Sequence, residues 1–221
     1  MKLLPLWIIA LLVVAPITAG SEVYSFTKAD FGTFKKAVDL SDVYTEKALK
    51  IRITALDTLA GSESEWQTAE VGFGDSSQSY SGTSDLAFYV EVAFNNQGLK
   101  KVAFVVGTTT IAQKTAPEDI PSELTIEIEN GMVKCKELGI EDYGIGQLTI
   151  NAIYLRSVFN NTDGGVGGWQ SGYITVELSK DVGFTAIWGP IKPAIKLYIY
   201  FAVLALVIGT LVGALNKAFR W

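Results

Sequence analysis

Histidine is absent from the 221-residue chain, cysteine occurs once and methionine twice. Without imidazole there is no base for a serine-protease-type triad. Cupredoxin copper sites and most zinc sites lose their ligands, and haem loses its usual axial partners. The lone cysteine, Cys135, excludes an intrachain disulfide, so any folded domain here must be held by its core. Cys135 reads either as a small buried hydrophobe or as half of an interchain disulfide. Positive charge is also scarce. Between Glu22 and Lys192 lie all 23 acidic residues and only 14 basic ones, a net charge of −9. That balance argues against nucleic acid and anionic lipid headgroups as partners. It suits solubility and divalent cations; no cofactor is expected, with calcium as the alternative.

What is present at the two ends is apolar. "MKLLPLWIIALLVVAPITAGSE" has a short positive start at Lys2 and an uncharged run from Leu3 to Val14. Small residues then lead into Ser21 and Glu22. This is the pattern of a secretory signal peptide over 1–20, with an uncleaved N-terminal anchor as the alternative. At the other end Leu197–Leu215 holds nineteen residues without a charge. At about 1.5 Å per residue this matches a hydrocarbon core of about 30 Å, and it predicts a transmembrane helix. Lysines and aromatic residues flank it on both sides. The expected order is therefore a signal peptide (1–20), an extracytoplasmic domain (21–180) and a juxtamembrane linker (181–196). The span (197–215) and a short cytoplasmic tail (216–221) follow. The expected location is the cell membrane, single-pass, with the N-terminal domain outside. Ala205, Gly209 and Gly213 recur every four residues within the span. Such a face lets helix backbones approach, and it is a candidate for self-association, although glycine is common in such helices.

Between the ends the chain alternates with period two. "LKIRITAL", "DLAFYVEVAF", "KVAFVVGTTTIA", "GQLTINAIYLRSVF" and "GYITVELS" each read as a half-buried strand. Further strands are predicted at "EVYSFT" and "WQTAEVGF". In "ELTIEIENGMVKCKEL", Asn130-Gly131 lies between two alternating runs, and a type I′ hairpin turn needs positive φ at both central positions. The one helical candidate is "TFKKAVDLSDVYTEKA". Nine or ten strands with one face in and one face out predict an all-β antiparallel β-sandwich of jelly-roll or lectin-like form. With "FYVEVAF" and "VAFVVG" as paired strands, the pattern is similar to lectin-like and laminin-G-like sandwiches. That resemblance is one of fold and implies no particular activity.

Two loops carry residue types suited to sugars, which bind by stacking on aromatic rings and by hydrogen bonds from carboxylates and amides. "GFGDSSQSYSGTSD" places Tyr80 between Asp75 and Asp85. "FNNTDGGVGGWQSGY" places Trp169 near Asp163 and Gln170. Trp169 reads as exposed if the strand through Tyr173 is continuous, and as a core residue if a bulge at a glycine reverses it. Asn160-Asn161-Thr162 matches the glycosylation acceptor pattern, with Asn160 as the acceptor. Same-face carboxylate pairs, Glu63 with Glu65 and Glu127 with Glu129, read as solvated surface, so no enzyme is expected. Two functional expectations follow. One is a membrane-anchored surface protein acting as a structural or interaction subunit of an envelope, coat or membrane complex. It would contact the bilayer and associate with itself or with other membrane proteins. The other is a carbohydrate-binding or adhesive module with glycans as partners.

Overall fold

A computed structural model of the chain describes residues 21–180. The expected signal peptide, linker, span with Ala205, Gly209 and Gly213, and tail lie outside the described residues. Among the described residues no helix is long and apolar enough to cross a membrane.

The described chain is built from strands and four short 3-10 turns. In order the strands are β1 (Ser21–Thr27), β2 (Lys35–Thr45), β3 (Ala48–Thr54), β4 (Ala60–Gly61) and β5 (Gln67–Gly74). Then come β6 (Phe88–Asn95), β7 (Gly98–Val106), β8 (Thr109–Thr115), β9 (Leu124–Glu129) and β10 (Met132–Cys135). The last are β11 (Ile140–Gly144), β12 (Thr149–Phe159), β13 (Thr162–Asp163), β14 (Trp169–Ser171) and β15 (Tyr173–Ser179). A six-stranded sheet runs β1-β15-β3-β9-β10-β11, and a seven-stranded sheet runs β13-β12-β5-β6-β7-β8 with β2 also paired to β12. All these pairings are antiparallel. The expected antiparallel sandwich is therefore present.

Alternation explains the core. In the six-stranded sheet Ile126, Ile51 and Leu178 lie opposite one another and are fully buried. In the other sheet Leu155, Val71, Val90 and Phe104 form the matching row. Both rows belong to one apolar cluster. Burying each such side chain contributes about 1.5–3 kcal/mol. The outer faces carry the polar alternates, for example Lys50 paired with Glu127 at 2.9 Å and Arg52 with Glu123 at 2.7 Å.

Three local expectations are corrected. Residues 33–48 are not helical: they hold β2, whose pairing to β12 shifts register twice. The shifts break period two, so the segment reads falsely as helix, while the tertiary partner decides the state. "KVAFVVGTTTIA" is not one strand but the hairpin β7–β8, turning at Gly107 with φ of 60°. The turn "NNQGLK" reads as a hairpin loop of about six residues, but the loop between β6 and β7 is shorter, because Asn95 and Gly98 already pair. The Asn130-Gly131 turn is as expected, with φ of 52° and 76°.

Candidate functional site

The Gly-rich loop does not build a site around its tryptophan. Trp169 is 1 % exposed. Its ring packs 4.9 Å from Phe31 and edge-on to Phe94 at 5.0 Å. Its indole N–H donates to the Ser171 carbonyl at 3.0 Å, and Lys28 Nζ donates to the Trp169 carbonyl at 2.7 Å. The expected exposure of Trp169 is thus corrected. β14 pairs with β4, not with the line of β15, and its register shifts between Trp169 and Ser171. Gly172 then turns the chain at φ of 102°, where a Cβ would lie 2.3 Å from the Thr58 carbonyl oxygen. Only glycine fits there, and it breaks the alternation that would have put the indole outside. Asp163 does not join Trp169. It is on β13 and pairs with Arg156 Nε at 2.7 Å. Gln170 is exposed. Asn160 sits at the exposed tip of the β12–β13 hairpin, with φ of 48°.

The serine-rich loop behaves differently. Tyr80, Asp75 and Asp85 line one open cleft of about 490 Å³, together with Glu46, Gln147 and Thr149. The loop, residues 75–87, is folded back on the outer face of the seven-stranded sheet. Leu86 lies over Gly72 and Gly74, where any Cβ would strike it. Leu86 forms a small apolar cluster with Ala152 and Tyr154, against which Phe34 and Tyr80 pack. The Tyr80 ring meets Tyr154 edge-on at 5.3 Å, and its hydroxyl accepts the Asp75 N–H at 3.0 Å. Beneath the loop the Thr83 hydroxyl donates to the Glu70 carboxylate at 2.8 Å, and Arg156 Nη1 lies 3.4 Å from the same oxygen. Burial pushes the Glu70 carboxyl up, and Thr83 and Arg156 pull it back only in part.

The cleft is rich in acceptors. The Ser77 N–H holds Asp75 below the ordinary carboxylate range, aided by the Ser77 hydroxyl and the Asn151 amide. The Ser81 hydroxyl and N–H do the same for Asp85. Their ionised forms are thus favoured, Asp85 being held by its own loop and Asp75 by its loop and by Asn151 of β12. Glu46 accepts the Leu148 N–H at 3.4 Å. Three carboxylates, an amide and a hydroxyl around a half-buried ring suit a neutral ligand with many hydroxyl donors and repel anions. No group of three or more acidic, cysteine or histidine ligands for a metal occurs among the described residues.

Sequence reading missed Glu46, Gln147 and Thr149, which come from far along the chain. It also missed Glu70, Thr83 and Arg156, which hold the loop. Glu70 lies on the outer face in period two with Thr68, and that was the available signal. Cys135 is a buried free thiol at 0 % exposure, the bland one of its two readings.

No family model and no curated protein matches the chain. Among solved structures, the CBM2 module of the evolved Dit of Lactobacillus casei BL23 phage J-1 is 11% identical. The overlap covers 63% of this chain and 64% of that one, at a TM-score of 0.34. The Emp47p carbohydrate recognition domain is 10% identical over 76% of this chain and 92% of that one, at 0.32. A Bacillus licheniformis β-glucanase is 8% identical over 72% and 98%, at 0.33. Superpositions this loose transfer neither ligand nor residue, so the site rests on its own chemistry.

Proposed function

We propose that residues 21–180 are a glycan-binding module, displayed outside the cell by the uncharged run 197–215, and that neutral hexose-based glycans occupy the cleft at Tyr80. The observation that carries this is the convergence of Tyr80, Asp75 and Asp85 with Glu46, Gln147 and Thr149 around one cleft. The carboxylates accept from vicinal sugar hydroxyls, Gln147 both donates and accepts, and the Tyr80 ring offers an apolar edge. Negative charge selects against uronates, sialylated chains and phosphorylated sugars. The test is a glycan array probed with the detergent-solubilised full chain, followed by titration calorimetry of the hits. Binding of neutral glycans that falls about tenfold or more in Gln147→Ala and Asp85→Asn supports the reading. Preference for anionic glycans, or unchanged affinity in both variants, removes it.

A second reading, a structural or interaction subunit of a membrane complex, is favoured by the small-residue face Ala205, Gly209 and Gly213 in the sequence. Replacing Gly209 and Gly213 by Leu and following crosslinked oligomers in membranes separates it from the first. Loss of oligomers with glycan binding intact points to assembly through the span.

A further inference from the structure

The exposed indole of the described domain is Trp66, not Trp169. Trp66 is 47% exposed. It closes the segment "GSESEW", which the fold pins firmly. Ser62 N–H donates to the Gly168 carbonyl at 2.8 Å, and the Ser62 hydroxyl to Gly167 at 3.2 Å. The Glu63 carbonyl accepts the Asn96 N–H at 2.8 Å, and the Ser64 carbonyl accepts the Asn95 amide at 2.9 Å. The Asn95 side chain is itself 5 % exposed, so this clamp is set from inside the fold. A flexible loop could fold a stray indole onto the surface. This one has four bonds holding its segment, and yet among the described residues its indole meets no aromatic ring and its N–H finds no acceptor. A large apolar ring held outward with a free donor is a surface prepared for something else.

We propose that Trp66 is a second glycan subsite, on which the apolar face of a pyranose ring stacks. Glu63 and Glu65 are exposed on the same segment, and Asn96, whose N–H donates to the Glu63 carbonyl, and Gln97 are exposed on the adjoining β6–β7 turn; these side chains offer acceptors and donors for ring hydroxyls. The ligand class is a neutral hexopyranose oligomer, and this much rests on the glycan reading given above. The location does not. Trp66 precedes the first residue of β5, whereas the Tyr80 cleft begins beyond its last, Gly74. At about 3.3 Å per residue the strand separates the two by roughly 25 Å. They lie at opposite ends of the sandwich, and each can fail alone.

The test uses the detergent-solubilised full chain with β-glucan, α-mannan and β-galactan tetrasaccharides as probes. Acrylamide quenching reads the exposed indole, and the Trp66→Phe difference isolates Trp66 from the other tryptophans. The expected result is protection of Trp66 by at least one tetrasaccharide. Its affinity falls about tenfold or more in Trp66→Ala, is largely kept in Trp66→Tyr, and the melting temperature is unchanged. Tetrasaccharides that bind while leaving Trp66 quenched as before, or with equal affinity in Trp66→Ala, overturn the inference. If Gln147→Ala then still weakens them, the cleft stands alone. If none binds, both fall together.

Discussion

The Tyr44 hydroxyl donates to the Glu22 carboxylate at 3.0 Å, linking the edge strand of one sheet to the edge strand of the other. Glu22 also accepts the Tyr24 hydroxyl at 2.6 Å and the N–H groups of Ser41 and Asp42 at 2.9 and 3.0 Å. Those two N–H groups are free because β2 slips its register against β12 between Asp39 and Tyr44. The irregularity that disguised β2 in the sequence thus supplies the donors that close this side of the sandwich.

Glu22 should make the fold acid-sensitive. Partial burial by itself would raise the carboxyl, but the hydrogen bonds from Tyr24, Ser41 and Asp42 outweigh it and bring the pKa to about 2. A depressed carboxyl contributes stability that is complete above its ordinary value of 4.5 and lost as pH falls toward 2. The melting-temperature advantage of wild type over Glu22→Gln should therefore be largest near neutrality and shrink through that window. An advantage constant from pH 7 to pH 2.5 would contradict this.

Trp169→Ala should cost about 3–5 kcal/mol in urea unfolding, the range for deleting a fully buried aromatic. Trp66→Ala should stay within about 0.5 kcal/mol, as exposed substitutions do. Equal costs would mean that the two indoles have similar surroundings.

Cys135 should be inert until the fold opens. Burial pushes its thiol up to about 12, and the thiolate is the reactive form. Labelling by a disulfide reagent at pH 8 should be absent in native protein and complete in denaturant. Rapid native labelling, or a covalent dimer on non-reducing gels, would restore the interchain reading.

Thr83→Val should loosen the 75–87 loop. It leaves the buried Glu70 carboxylate short of one donor, at a cost of about 1–3 kcal/mol. Faster amide exchange in 75–87 than in β12 is the expected signature. Glu70 itself has a raised carboxyl, so its effect has the opposite sign to that of Glu22. The folded state takes up the proton more readily, and wild type should lose stability relative to Glu70→Gln as pH rises above 4.5. A relative gain over that rise would reverse the assignment.

The strands at 48–54, 124–129 and 173–179 were legible because each has one buried and one wetter face, which writes period two directly into the residues. The Asn130-Gly131 turn was legible because few residue pairs tolerate two positive φ values. Within the candidate cleft, Asp75, Tyr80 and Asp85 could be seen together since one loop carries them. Glu46 and Gln147 could not, because strand pairing alone brings residues 45 and 149 face to face. The placement of Trp169 turned on one glycine, Gly172. Whether that residue continues a strand or breaks it depends on the Thr58 carbonyl packed against it.

The sequence by itself determined the class of fold, the chemistry that is absent and the single buried-or-bridging cysteine question. Those depend on composition and local alternation, which each segment carries alone. The tertiary structure decided which tryptophan faces solvent, which carboxylates line one cleft and which side of β2 holds the sandwich shut. Those depend on register and close backbone approach between segments far apart in the chain, and no local pattern encodes them.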